Sequence, residues 1–190
     1  MEPPILPQYR GIAALLEGYR PHDPREAQDI ACLRRYMAQW PDLLTRQNTA
    51  LHFTASSLIL NAAGTRTLLC WHNLYQSWSW TGGHADGDGD LLAVALREAA
   101  EETGAACTAP GRRLLGVDIL PVWAHEKRGA PVASHLHLNL TFLLQADEAA
   151  PLAACPGENS AVGWFALEQL PVVSTEPDMR TVYRRLLERL

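Results

Sequence analysis

The chain has 190 residues, a formal net charge of −5, 47% hydrophobic residues and 19% charged ones. That length allows one ordinary domain with a sizeable core and an appendage, and the composition is that of a globular chain rather than a disordered one. No run of Lys or Arg stands out, which argues against nucleic acid or an anionic membrane surface as partner, and no apolar run approaches the ~20 residues that span a bilayer.

Residues 1–48 read as a helical extension. The start, MEPPILPQYR, carries prolines and an acid where a secretory signal needs positive charge and an apolar stretch, so the expected location is the cytoplasm. A short helix is predicted over 11–19. A second begins at Asp23-Pro24, where Asp can cap and Pro can occupy the first turn. Its apolar positions Ile30, Leu33, Met37 and Trp40 recur every three or four residues, and Pro41 stops it.

From His52 the periodicity changes. HFTASSLILN and TRTLLCWHN predict strands around a turn at 62–65, and SWSWTGG ends a further strand before a loop rich in Gly and Asp. A helix is expected from Leu91 to Thr103, with Asp90 as N-cap and Gly104 just past its end. GRRLLGVDILPVWA and SHLHLNLTFLLQA predict strands, the second with His135, His137 and Asn139 on one face and Leu136, Leu138 and Leu140 on the other. VGWFALEQL is a strand and turn, and PDMRTVYRRLLERL an amphipathic helix. Strands and single helices mix without a regular βαβ rhythm, so the class is α+β or a mixed-sheet α/β sandwich. The cysteines Cys32, Cys70, Cys107 and Cys155 are widely spaced without a CxxC pair, which favours reduced thiols over disulfides or zinc.

The end of the helix over 91–103 holds the chemistry. At about 100° per residue, Glu98, Glu101 and Glu102 fall in one arc. Like charges three and four apart repel, and the helix dipole already presents negative charge there. Arg97 can relieve Glu101 at i,i+4, but one cation does not neutralise three anions. Leu92, Ala93, Leu96, Ala99 and Ala100 are expected to hold the opposite face on the core. Spacing alone leaves two readings: a solvated acidic face, or hard oxygen ligands for Mg²⁺ or Mn²⁺, which would convert repulsion into coordination.

The stretch from Gly82 to Ala105 resembles the Nudix box. Gly83 opens it, and Arg97-Glu98-Ala99-Ala100-Glu101-Glu102-Thr103-Gly104-Ala105 matches every fixed position of its second half. One position departs: Gly89, flanked by Asp88 and Asp90, stands where the family has its first Glu. In the family that Glu pairs with the box arginine, so Asp88 or Asp90 is expected to take over the contact with Arg97. The resemblance implies an α/β/α sandwich over 49–190 with a mixed sheet, the extension lying outside it. It also implies hydrolysis of a phosphoanhydride bond in a nucleoside diphosphate linked to another moiety, with Mg²⁺ or Mn²⁺ as cofactor. Glu98 and Glu102 are then metal ligands, Glu101 a ligand or neighbour, and the Gly82 carbonyl completes the shell. The general base is Glu98 or a distant loop acid, for which Glu158 is the candidate.

For the substrate, His84 follows the Gly-Gly directly, and His135 and His137 form a same-face pair that could contact phosphate or a second metal. His52 and His72 also surround the predicted sheet. Tyr75 and Trp78, in NLYQSWSW, could stack on a base, although tryptophans at this density are more simply core or rim residues. Two rival functions stand beside hydrolysis. A nucleotide-binding sensor on the same fold would lose helix glutamates, which this chain keeps. An isopentenyl-diphosphate isomerase-like enzyme would need a cysteine near Gly82-Gly83-His84, which this chain lacks. Whether the extension makes a homodimer is left open.

Overall fold

The computed structural model describes residues 4–127 and 129–190. The helices are α1 (Arg10–Glu17), α2 (Pro24–Gln39), α3 (Leu91–Thr103), α4 (Leu170–Val173) and α5 (Pro177–Leu187). The strands are β1 (Leu51–Leu60), β2 (Arg66–His72), β3 (Ser77–Ser79), β4 (Thr81–His84), β5 (Cys107–Thr108), β6 (Leu114–Val122), β7 (His125–Lys127), β8 (Ala130–Val132), β9 (His135–Ala146) and β10 (Asn159–Ala166). Eight strands form one sheet with the order β10-β2-β1-β9-β5, β3 pairing with β2, β4 with β1 and β6 with β9. β7 and β8 make a separate antiparallel hairpin. The class is mixed α+β, as the alternation of strands and single helices predicts.

The chain divides into two compact units. One holds the residues up to Ala55 with His84–Val94 and Gly116–Leu140; the other holds Ser56–Gly83, Ala95–Leu115 and Thr141–Leu190.

In the first unit, Tyr9, Ile12, Leu33, Met37, Leu43, Phe53, Val117 and Leu138 are fully buried. The Tyr9 hydroxyl donates to the Trp40 carbonyl at 2.7 Å and accepts the Leu43 N–H at 3.0 Å, so the end of α2 and the segment after it are tied to the start of the chain. Asp23 caps α2 by accepting the Glu26 N–H at 2.8 Å. Glu26 is itself fully buried and accepts the Val117 N–H at 3.0 Å, while Asp29 accepts the Ile119 N–H at 3.1 Å. Two carboxylates of α2 thus satisfy backbone donors of β6 that would otherwise be left bare.

In the second unit, Leu58, Ile59, Leu68, Leu69, Phe142, Leu144, Tyr183 and Leu186 form the core. β1 and β2 pair antiparallel with Ile59 opposite Leu68 and Leu60 opposite Thr67. Their turn is set by Asn61, whose side-chain oxygen accepts the N–H groups of Thr65 at 2.9 Å and Arg66 at 3.1 Å. β10 lies along the other edge of β2, with Val162 opposite Cys70 and Phe165 opposite Thr67. The four cysteines are free thiols, Cys70 buried and the others half-buried.

Candidate active site

The acidic cluster belongs to the second unit, at the C-terminal part of α3. The helix runs over Leu91–Thr103 as the periodicity predicts. Asp90 caps it, its carboxylate accepting the Ala93 N–H at 3.2 Å and its carbonyl the Val94 N–H at 3.1 Å. The helix ends on Gly104, whose φ of +70° is the left-handed conformation of a C′ residue and whose N–H reaches the Ala100 carbonyl at 2.9 Å. The buried residues are Leu91, Leu92, Val94, Ala95 and Ala99, whereas Ala93 and Ala100 are exposed. The core face is therefore rotated from the expected one, and the rotation decides the fate of the acids.

Glu102 falls on the buried side of α3, only 3% exposed, while Glu98 is half-buried and Glu101 exposed. The Glu102 carboxylate accepts the Gly82 N–H at 2.9 Å. Burial pushes its pKa up to about 8; the Gly82 bond opposes the shift, and the charges of Glu98, Glu158 and Glu101 add to it. A carboxylate left with one backbone donor and three neighbouring acids is a group that demands a proton or a cation. This is the observation against which the implied divalent ion can be tested, and hard oxygen donors around a buried, under-compensated carboxylate fit it. Gly83 comes so close to Glu98 that a β-carbon there would lie 2.3 Å from its carboxyl carbon. The paired glycines of β4 thus let the backbone approach the acids directly.

Arg97 is exposed, and its guanidinium is 3.7 Å from the Glu98 carboxylate. Glu158 follows a turn in which its N–H bonds the Cys155 carbonyl at 2.9 Å and its carbonyl accepts the Asn73 N–H at 3.0 Å. The next residue, Asn159, is fully buried and donates to the Glu102 carbonyl at 2.8 Å, a link between the loop acid and the helix that the sequence did not disclose. Trp78 packs against Trp71 and Phe165, at 5.7 and 4.7 Å between ring centres, and is therefore part of an aromatic stack. Tyr75 is 41% exposed beside the His72 ring at 4.5 Å.

The remaining sequence candidates, His84, His135 and His137, belong to the first unit and meet His52 there. Ring centres are 4.9 Å apart for His52 and His135, 5.1 Å for His52 and His137, 5.1 Å for His52 and His84, and 5.0 Å for His84 and His137. Burial, reinforced by neighbouring imidazoles, holds His84 and His137 far below the usual range, at about 3 and about 2. Burial also lowers His52, against the bond to Asn48. These rings are neutral at physiological pH.

Asp88 and Asp90, the expected substitutes for the family's first Glu, both serve the loop before α3: the Asp88 carboxylate accepts the Asp90 N–H at 2.9 Å, and Asp90 is the cap. A β-carbon at Gly89 would meet the Gln8 carbonyl oxygen at 3.6 Å and a Leu44 methyl at 4.0 Å. In this unit the N-terminal extension lies against the position where a longer side chain would start.

Residues 50–190 match the family model for the NUDIX domain. None of the curated proteins matches the chain in sequence. Among solved structures, an Ap4A hydrolase from C. elegans is 20% identical with a TM-score of 0.51, over 72% of this chain and 95% of that one. A Nudix hydrolase from M. smegmatis, RenU, is 18% identical with a TM-score of 0.51, over 72% of this chain and 84% of that one. These likenesses speak to the fold, whereas the family match covers most of the chain and contains the glycine pair, the arginine and the three glutamates just described. The chain belongs to the Nudix family of pyrophosphohydrolases, enzymes that generally use divalent metal ions.

Proposed function

We propose that this enzyme cleaves the phosphoanhydride bond of a nucleoside diphosphate linked to another moiety, using Mg²⁺ or Mn²⁺ held by Glu98 and Glu102, with Glu101 and the Gly82 carbonyl as further ligands. The buried Glu102 carboxylate, crowded by three other acids, carries this reading. A divalent cation bound there supplies positive charge to the diphosphate oxygens and polarises a water. Such an ion keeps several waters and needs few direct carboxylates, so the exposed Glu101 need not move for a site to form. Glu102 is held by the Gly82 N–H, and Arg97 orients Glu98. Glu98 or Glu158 accepts the proton of the attacking water, general-base assistance being worth about 10²–10⁴ in rate.

The hydrolase domain in this reading spans 49–190, with 1–48 as its helical extension. It acts in the cytoplasm on a small nucleotide derivative. Among the described residues no helix is long and apolar enough to cross a membrane. Tyr75 contacts the substrate.

The test is a screen of nucleotide sugars, dinucleoside polyphosphates and nucleoside triphosphates with Mg²⁺ or Mn²⁺, run beside Glu102→Gln. The amide can still accept the Gly82 N–H, so the variant folds, yet turnover drops by about 1,000-fold as the metal's charge stabilisation is lost. Folded wild-type protein that binds nucleotides with metal but turns over none of them would make the chain a binding module instead.

A further inference from the structure

The histidines of the first unit do something the acidic helix does not require. His52 is 4% exposed, and its Nδ1 lies 3.0 Å from the Asn48 carbonyl oxygen. A carbonyl only accepts, so Nδ1 carries the proton and Nε2 of the neutral ring is a bare lone pair. That Nε2 is buried and has no hydrogen-bond partner among the described residues. His135 repeats the pattern, with Nδ1 2.8 Å from the Ala133 carbonyl oxygen. Its Nε2 faces the His137 Nε2 at 3.2 Å. The ligand nitrogens of His52, His135 and His137 all lie within 4.8 Å of one another.

Without a metal, the His135 Nε2 can accept the His137 Nε2–H at 3.2 Å, whereas the buried His52 Nε2 beside them is left with no donor. Backbone carbonyls fixing Nδ1–H so that Nε2 is presented is the outer-shell arrangement of metal-bound histidines. A tetrahedral zinc with bonds of about 2.0–2.1 Å separates its nitrogen ligands by about 3.3 Å, which the His135–His137 pair already approximates. The presenting groups are themselves fixed. Asn48 is buried, donates to Asp42 at 2.9 Å and accepts the N–H groups of Ala50 and Leu51 at 3.1 Å each. On the same strand faces, Thr54 donates to Asn139 at 2.9 Å and so ties β1 to β9 beside the cluster.

We propose that His52, His135 and His137 form a site for one transition-metal ion, zinc or another imidazole-preferring divalent ion, with the fourth position left to a water or an outside ligand. Three imidazole nitrogens and no carboxylate suit zinc, cobalt, nickel or copper and disfavour Mg²⁺ and Ca²⁺. They also disfavour phosphate, which needs donors where this cluster turns two fixed acceptors. The His84 ring lies beside His52 and His137, at 5.1 and 5.0 Å between ring centres. The site does not depend on the catalytic reading of α3.

The experiment uses the full chain stripped of metal with a chelator and titrated with zinc chloride in excess Mg²⁺, followed by calorimetry and metal analysis, and with cobalt chloride followed by visible absorption. Wild type binds one equivalent of zinc under these conditions, and its cobalt form shows the intense bands of tetrahedral coordination. His52→Ala and His137→Ala weaken zinc binding by more than the roughly 10–100-fold that outer-shell changes cost, and the cobalt bands disappear. The double variant Glu98→Gln with Glu102→Gln keeps both signals. If a buried-histidine variant misfolds by circular dichroism, His135→Asn decides, because that ring's backbone bond is to Ala133 only two residues away. Zinc binding unchanged in His135→Asn and His137→Ala, or lost only in the glutamate variant, overturns the proposal. So does saturable binding of inorganic phosphate without metal that vanishes in the histidine variants.

Discussion

The two clusters of titratable groups, acids in one unit and imidazoles in the other, are shaped by the same force with opposite signs. Burial raises Glu102 to about 8 and lowers His84 and His137 to about 3 and about 2. In both cases the low-dielectric surroundings remove charge. What differs is the neutral form that results. A protonated carboxyl must surrender its proton before it can hold a cation, so binding at α3 is coupled to proton release. A neutral imidazole is already a ligand, so the histidine cluster needs no such exchange near neutrality. On the two proposed readings, one fold offers a hard-oxygen, proton-coupled site and a nitrogen site.

The largest effect that separates the two is on stability without metal. Glu102 has a folded value of about 8 against an ordinary 4.5, so the folded state binds more protons than the unfolded one between those values. Stability conferred by the protonated form is complete below about 4.5 and is lost as pH rises through about 8, a slope on the order of a few kcal/mol in total. The lowered imidazoles act in the opposite direction over the same range, so the Glu102 contribution is read as the difference between chelated wild type and Glu102→Gln. The stability of wild type relative to the variant falls from pH 6 to pH 8, and Mg²⁺ reverses that fall. A difference between wild type and Glu102→Gln that stays constant from pH 6 to 8 in chelator would show that Glu102 is not the group taken out of water.

Much of this fold was legible beforehand, for identifiable reasons. α3 was readable to its last residue because its apolar period, the Asp90 cap and the Gly104 stop all agree. β1 and β2 were readable as apolar runs rich in strand-forming residues on either side of a turn, and β9 because HLHLNL alternates. β5, with two residues, and the hairpin of β7 and β8, with three each, carry too few positions for any period to register. The glutamates were found because one helix carries all three. Their unequal burial was not, since Leu96 and Ala99 look equally apolar in a list, and only packing fixes which side of the helix faces inward. The convergence of His52 with His135 and His137 was hidden for another reason. It depends on β1 and β9 being neighbours in the sheet order, a pairing between strands far apart in the chain. His135 and His137 announced a shared face, but nothing local named the third ring. Gly89 departs from the family pattern, and a β-carbon there would make only ordinary contact with Gln8 and Leu44, so the packing of the extension does not explain the glycine.

A smaller effect sharpens the acid side of the comparison. Gly83→Ala puts a methyl 2.3 Å from the Glu98 carboxyl carbon, and the flexible carboxylate has to yield. The fold loses little, but the acid is displaced from Glu102, and turnover falls by about 10–100-fold, the usual cost of mispositioning a reacting group by about 1 Å. The melting midpoint stays within about 3 °C. Zinc binding by the imidazoles is untouched, so the variant also separates the two clusters. Full activity in Gly83→Ala would mean that Glu98 contributes nothing from its present position.

The smallest effect concerns Tyr75. Its ring is partly exposed and leans on His72, unlike Trp78, which Trp71 and Phe165 already occupy. A side chain with a free face can stack on a ligand; one enclosed by two aromatic neighbours has already committed its faces to packing. Stacking on a base is worth about 1–3 kcal/mol when fully formed, and less at a partly exposed ring. Tyr75→Ala therefore raises KM by about 3–10-fold for a nucleotide substrate and leaves kcat within twofold, while Trp78→Ala lowers the melting temperature. Steady-state kinetics and a thermal melt on the two variants read this split directly. A stability loss in Tyr75→Ala with KM unchanged would assign that ring to packing and leave recognition of the base to other residues.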